Sequence, residues 1–545
     1  MMHSLVRWIG RRCLRWFYRE QRLLGFERIP REGPVVLIGN HGNDLPDVIC
    51  GFLVTPRPLR YLASISGATS AISQAAYRGL GVIPVMRVRD VRTMREQGHD
   101  GAAMNRDAFR LVSEALRDGD IVGAFPEGGV HDAPRLGHFR AGVAQMVLNC
   151  FYNGAQTEIL IVPFGIQYEA ARSWRSDLSV VVGEPISLGS WLAEQEEMGH
   201  RGSHDGLTAD AAVAQESRPR AKLALRLRDR MHGALTALTR NAPNWESAER
   251  RDALVAAVSG VLASRTDDVS VVAVNVQHSC AKLVEQSASD SASDAPSEVV
   301  SDATSSSALV LELAAQVTRA VVRAGAMPTS ARDVARVLSA AGTRGVRPDW
   351  PSWIATFVAT PLAAIGWLVH GPAFFVIWRS ARRTARDRTE YVARAFVPGL
   401  YLILCAYVLA GGLLAALLML TSWSSWWAIA FVMLLPRLGD VAVWWRDSVR
   451  ALRLRARVTR WSASDRTALC LAADALRVAW HSHLASTVVH FAGHSVGDPV
   501  VPALTNVVHA VADHVIASGD AHAATNISSD AQPSSSRTSA SRASS

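Results

Sequence analysis

Lysine is almost absent. Of 57 basic residues, all but Lys222 and Lys282 are arginine, so a site needing permanent positive charge must use guanidinium groups, whose planar fork can grip two phosphate oxygens. Cysteine is scarce too. Cys13, Cys50, Cys150, Cys280, Cys405 and Cys470 are scattered, and no pair has the spacing of a metal site or a redox CxxC. This argues against a disulfide framework and leaves reduced, structural thiols. The N-terminus has no apolar core of the ~7–15 residues that a secretory signal needs. No internal repeat is visible. Basic segments interleaved with aromatic residues for nucleic-acid binding are also missing. The formal charge of +9 therefore points to a membrane surface or an anionic substrate.

The 545 residues, 49% of them apolar, exceed one ordinary domain. Residues 1–25 alternate Leu5, Trp8, Ile9, Leu14 and Phe17 with arginines at helical spacing. Such a basic amphipathic helix can lie on an anionic bilayer, pack on the domain as a solvated helix, or act as a mitochondrial presequence. From about 26 to 190, Val- and Ile-rich runs bounded by Gly or Pro (33–40, 81–86, 120–128, 158–168, 178–186) alternate with helical stretches (104–119, 137–150). The alternation predicts an α/β domain with a mostly parallel sheet, followed by an α-helical membrane-associated region. The expected divisions are an α/β domain at 26–250, a helical linker at 251–348 with a disordered Ser/Asp-rich insert at 283–308, a membrane region at 349–450, a helical cytosolic region at 451–520 and a disordered tail at 521–545.

Residues 396–435 are nearly free of charge and long enough for a hairpin, since one crossing takes ~20 residues. Residues 354–378 are interrupted by Pro361, His370 and Gly371-Pro372. Arginine-rich segments flank the hairpin at 379–388 and 446–460, and the positive-inside rule puts both on one face. Residues 354–378 are therefore expected to be a broken, re-entrant or interfacial helix bent at Gly371-Pro372, not a single crossing.

His41 follows a buried run in "IGNHGNDLPD" (38–47), at the carboxyl end of a strand, where ligand crevices of open α/β sheets lie. With Asp44 or Asp47 as its partner it could serve as a general base. Taken alone, the stretch reads more often as a polar surface turn. Three further stretches, "GLGVIPVMR" (79–87), "FPEGGVHDAPRLGHFRAG" (125–142) and "ILIVPFGIQYE" (159–169), follow in order. Together with 26–47 they resemble the motifs of the glycerophospholipid acyltransferases, the membrane-bound branch with NHxNxxxD and FPEG. The usual N-H-x4-D spacing falls on Pro46. The longer form falls on Asp47, with Asn43 in its second asparagine place and Asp44 as the other candidate. The resemblance covers roughly 26–250.

This resemblance implies direct acyl transfer from acyl-CoA to a phosphorylated acceptor in phospholipid biosynthesis. His41 would be the base, oriented by Asp47 or Asp44. Arg87 would hold the phosphate, and Arg140 would assist it or bind the coenzyme's phosphates. Glu127 would hold an acceptor hydroxyl or Arg87, and amides near Gly128 and Gly129 would receive the oxyanion. No cofactor or metal is implied, because acyl-CoA is a co-substrate; His131-Asp132 alone is no metal site. The acceptor is expected to be glycerol 3-phosphate or dihydroxyacetone phosphate. Lysophosphatidate, or an inactive lipid-binding scaffold, are the alternatives. The expected location is the endoplasmic reticulum membrane with the domain facing the cytosol, or a mitochondrial or bacterial inner membrane.

Overall fold

The computed structural model describes residues 2–64, 71–85, 101–152, 158–169, 174–202, 217–263, 276, 280, 283, 302–326, 330–342, 350–384, 390–421, 424 and 426–492. Arg87, most of the Ser/Asp-rich insert and the C-terminal tail lie outside them.

The N-terminal domain is built on one sheet. Its strands are β1 (Gln21–Leu24), β2 (Val35–Gly39), β3 (Leu59–Ser64), β4 (Ile83–Val85), β5 (Ile121–Ala124), β6 (Leu160–Tyr168), β7 (Leu178–Val182) and β8 (Ile186–Ser187). They run in the order β1-β7-β6-β2-β5-β3-β4, with β8 on β6. All pairings are parallel except those of β6 with β7 and β8. The mostly parallel α/β reading holds. Strands β1 and β3 were not foreseen: β1 is four half-buried residues at the edge, and β3 carries Arg60 and polar-facing positions, so neither forms an unbroken apolar run.

Strand β2 is buried throughout and feeds both layers. Val36 and Ile38 join one core; Val35 and Leu37 join the other. Each such side chain contributes ~1.5–3 kcal/mol by leaving water. One face is covered by α1 (Met2–Phe17) and α2 (Leu45–Val54). The other is covered by α4 (Gly101–Arg117), α5 (Gly142–Tyr152) and α7 (Ser217–Thr236). Helices α3 (Ala71–Gly79) and α6 (Leu188–Gly202) complete the domain.

A second, helical core follows. Helices α8 (Trp245–Ala263), α9 (Asp302–Arg323), α10 (Ala331–Gly342) and α14 (Ala463–Ala492) bury Val317, Val334, Leu476 and Trp480 together. The described helices within 251–342 thus belong to a packed unit with α14 rather than to a linker. The expected disorder at 283–308 fails for 302–308, which open α9; leucines and valines after Ala308 supply a buried face that carries the Ser-rich first turns into the helix.

Between these units run α11 (Trp350–Thr384), α12 (Glu390–Leu420) and α13 (Trp426–Thr459). Windows in all three are long and apolar enough to cross a membrane, with outward rows such as Phe357, Leu368, Val408, Leu413 and Met433 that suit lipid rather than water. The expected break at Gly371-Pro372 is absent, and α11 runs through both Pro361 and Pro372. Tight packing supports the continuous helix. Gly366 presses against the Leu438 carbonyl of α13, and His370 bonds the Gly366 carbonyl at 2.8 Å and the Tyr407 hydroxyl at 2.9 Å. Neighbouring helices of this kind re-satisfy a proline-broken ladder in an apolar setting.

Thr360 faces Trp445 while Gly366 faces Leu438 and Ala442, so α11 and α13 meet antiparallel. In three successive crossings the first and third helices run the same way. The contact sense therefore does not match a simple up-down-up bundle.

The α/β domain docks on this region. Arg12 pairs with Asp440 and Arg175 with Asp447, both at 2.8 Å. Trp174 wedges between them, 4.5 Å from Phe374 and under Arg446.

Close packing at Gly366 is testable. A methyl there would sit 2.9 Å from Ala442 Cβ, whereas one at Gly412 meets nothing within 4 Å. Gly366→Ala is expected to destabilise the purified protein by about 1–3 kcal/mol. Gly412→Ala should be neutral or gain up to ~1 kcal/mol of helix preference. Melting temperatures in detergent check both.

Candidate active site

His41 stands one residue beyond Asn40, which follows β2. Asn40 fixes that end of the strand by a two-way bond with β6: Ile166 N–H donates to Oδ1 at 2.7 Å, and Nδ2 donates to the Ile166 carbonyl at 3.1 Å. The chain then turns into α2. Asp44 takes the position before the helix with φ of 51°, and Asp47, in the first turn, is fully buried.

Asp47 is the carboxylate that reaches the ring. Its Oδ2 lies 3.1 Å from His41 Nδ1 and accepts the Asn43 N–H at 2.7 Å. Its Oδ1 accepts the Tyr168 hydroxyl at 2.5 Å. Asn43 Nδ2 donates to the Tyr18 hydroxyl at 2.8 Å. A carboxylate only accepts, so Nδ1 carries the hydrogen and Nε2 keeps its lone pair. Asp44 is not part of this hydrogen bond; its carbonyl accepts the Asp47 N–H at 3.1 Å. The imidazole also stacks on Phe125, with ring centres 4.2 Å apart, and Phe125 stacks on Tyr61. Ring orientation is therefore fixed from two sides.

Glu127 comes from the turn after β5. Its Oε1 accepts the His41 N–H at 2.6 Å, and its Oε2 accepts the Gly137 N–H at 2.8 Å and contacts His131 Nε2. Burial alone would raise this carboxyl. The bonds from His131, His41 and Gly137 overcome it and hold Glu127 below the usual carboxylate range. The same bond from Glu127 raises His131, against burial, favouring the imidazolium. Glu127 is thus occupied within the protein rather than presented whole to a substrate, and it builds the backbone on which His41 sits. Sequence reading assigned His131 nothing. The signal was the four-residue step between Glu127 and His131, which the intervening turn closes into contact.

Gly128 has φ of +71°, a left-handed turn in which a Cβ would come within 2.9 Å of Arg140 Cδ. The Gly128 N–H donates to the Phe125 carbonyl at 3.0 Å. It is committed to the turn, which corrects the expectation that it receives an oxyanion. The Gly129 N–H donates to no acceptor among the described residues. Arg140 is exposed, its N–H tied to the Pro126 carbonyl. Its guanidinium lies over Gly128, outside the cavity that His41 lines.

That cavity, of about 490 Å³, is lined by His41, Glu127, His131, Arg135, Tyr168 and Arg240, among others. Among the described residues its fixed positive charge comes from Arg135, within the third motif stretch, and from Arg240 and Arg251, and not from Arg140. Arg251 donates to Asp252 and to the Asn241 carbonyl. Arg240 is lowered by burial and held by Asp252 at 3.6 Å. Arg135 makes no ion pair with the described residues. Arg240 lies within "LTALTRNAPNWES" (235–247), a stretch already counted in the resemblance. No group of three metal-ligating side chains occurs among the described residues.

Residues 22–167 match the Acyltransferase family. Two Saccharomyces cerevisiae proteins, glycerol-3-phosphate O-acyltransferases 2 and 1, are 38% identical over 82 and 80 residues. That is 15% of this chain and 11% and 10% of theirs. An uncharacterised acyltransferase of Schizosaccharomyces pombe is 22% identical, covering 34% of this chain and 40% of its own. The chain spans about a tenth of the length of the two budding-yeast enzymes. The 1-acyl-sn-glycerophosphate acyltransferase PlsC from Thermotoga maritima shares 15% identity at a TM-score of 0.27, over 38% of this chain and 81% of that one. The α/β domain is an acyltransferase domain of the glycerophospholipid family.

Glu169, on the cavity wall just after β6, is pushed up to about 7 by burial and by Asp177, against the pull of Arg19. Between its ordinary 4.5 and about 7, the folded state holds a proton that the unfolded chain releases. Stability should fall as pH rises through that window and level off above it. Glu169→Gln is expected to remove this slope in melting temperature against pH.

Proposed function

We propose that the protein transfers a fatty acyl group from acyl-CoA to a hydroxyl of glycerol 3-phosphate. One observation carries the reading: His41 is oriented by a buried Asp47, has an Nε2 with no hydrogen bond to the described residues, and lines a cavity that also holds Arg135. The acceptor hydroxyl gives its proton to Nε2 as its oxygen attacks the thioester carbonyl. Asp47 steadies the imidazolium that forms. The carbonyl oxygen gains negative charge and takes the Gly129 N–H, with His131 near by. Collapse expels the thiolate of coenzyme A, which takes up the proton. Arg135 holds the acceptor's phosphate from the cavity side, and Arg87, at the end of the second motif, supplies further charge. Arg140 meets the coenzyme's phosphates outside the cavity.

Glycerol 3-phosphate is preferred to lysophosphatidate because the similarities at 38% identity, over 82 and 80 residues, are to glycerol-3-phosphate acyltransferases. The apolar helices would keep the domain where acyl-CoA and product partition.

Purified protein given acyl-CoA and either acceptor should acylate glycerol 3-phosphate. His41→Ala should lower kcat by ~10²–10⁴, the usual worth of a general base. Full activity in that variant rejects the mechanism, and acylation of lysophosphatidate alone rejects the acceptor. Asp47→Asn should lower kcat with little change in KM, since it disturbs the tautomer and not the acceptor's phosphate. A large rise in KM with unchanged kcat would contradict the assignment.

A further inference from the structure

A second cavity, of about 1110 Å³, is separate from the one at His41 and larger than it. It lies between α1, α10 and α13, where the α/β domain meets the apolar helices. Nine arginines line it, against only Glu20, Asp440 and Asp447. Some of these charges are matched. Arg12 pairs with Asp440, Arg175 with Asp447, Arg19 with Asp177, and Arg332 with Glu20. Arg11, Arg15 and Arg437 have no carboxylate partner among the described residues. Arg332 is held down to about 10 by burial and by the cations Arg19 and Arg336 beside it, and its buried Nε makes no hydrogen bond. Crowded guanidinium groups in a partly desolvated space are unfavourable unless an anion joins them.

The remaining walls are apolar. Leu23, Leu53, Val443, Trp444 and Leu452 face the same space. The position along α13 is telling as well. Upstream of Arg437 its surface is apolar, with Trp426, Trp427 and Met433 exposed; from Arg446 onward it is rich in arginine. Trp350, Trp353 and Trp444 are exposed near this transition, as aromatic residues are at a bilayer–water boundary. The cavity combines surplus guanidinium charge, apolar walls and a place at the membrane surface.

We propose that this cavity binds the phosphate of an anionic phospholipid, with Arg11, Arg15 and Arg437 gripping the head group and the apolar walls receiving the start of its chains. The coenzyme could offer the same phosphate chemistry, so the test must separate the two sources. The proposal does not depend on the acyl-transfer reading, because none of these residues lines the His41 cavity.

Full-length protein in neutral detergent is titrated with short-chain phosphatidylglycerol, short-chain phosphatidylcholine or free coenzyme A, and thermal shift gives the apparent affinity. Phosphatidylglycerol should raise the melting temperature and phosphatidylcholine should not. Arg15→Gln with Arg437→Gln should weaken phosphatidylglycerol at least about tenfold, as expected for loss of charge-assisted bonds. These substitutions remove no internal ion pair, so folding should survive. Arg11→Gln alone provides a milder second variant, expected to weaken binding in the same direction. His41→Ala should bind the lipid as the wild type does, which separates this test from that of acyl transfer. Equal shifts with both lipids, or an unchanged affinity in all the arginine variants, would overturn the proposal. Displacement of the lipid by coenzyme A, with the same sensitivity to the variants, would assign the cavity to nucleotide phosphates and overturn the lipid source.

Discussion

The Asp47 carboxylate is the point on which the active site turns. It is wholly enclosed, and a buried charge persists only where its oxygens are bonded. Three groups supply those bonds: the His41 ring, the Asn43 amide and the Tyr168 hydroxyl. They come from the end of β2, the turn into α2 and the end of β6. One ion thus ties the turn at 41–47 to the end of β6, 121 residues away in sequence, and sets the tautomer of the imidazole. Tyr18, at the end of the basic helix, joins through Asn43. The N-terminal helix is therefore part of the support of the site.

Glu127 does for the backbone what Asp47 does for the ring. It collects the His41 and Gly137 amides and the His131 imidazole on two oxygens. Both carboxylates spend their hydrogen-bonding capacity on protein groups. On the proposed mechanism the chemistry is left to Nε2 of His41 and to positive charge across the cavity. That division would let an open pocket keep a rigid base, because its geometry is secured on the buried side.

Much of this was legible in the chain. The buried runs at β2, β5 and β6 are long, apolar and bounded by turn residues, and the parallel sheet follows from their alternation with helices. His41, Glu127 and Asp47 could be named because they sit at strand ends in short, ordered motifs. What could not be read depends on tertiary closure. Strand β3 carries an arginine in its middle and is a strand because β5 and β4 flank it. His131 acquires a role only when the turn after Phe125 brings it back to Glu127. Prolines 361 and 372 suggested a break, since local rules cannot register that α12 and α13 brace α11. The cations of the His41 cavity come from residues 135–251, of which the motif pattern marks none as substrate-binding.

The docking of the domain carries one more consequence. Arg12 and Arg175 both clamp onto α13, two turns apart, and Trp174 fills the gap against α11. A body held at two points along one rod resists swivelling about it. The elevation of His41 relative to the apolar helices is then a built-in constant, and a lengthened or shortened loop elsewhere would leave it unaltered. The protein forms a jig: if the imidazole acts as proposed, whatever is brought to it must extend to that fixed height, so reach, rather than flexible tethering, would select what can react.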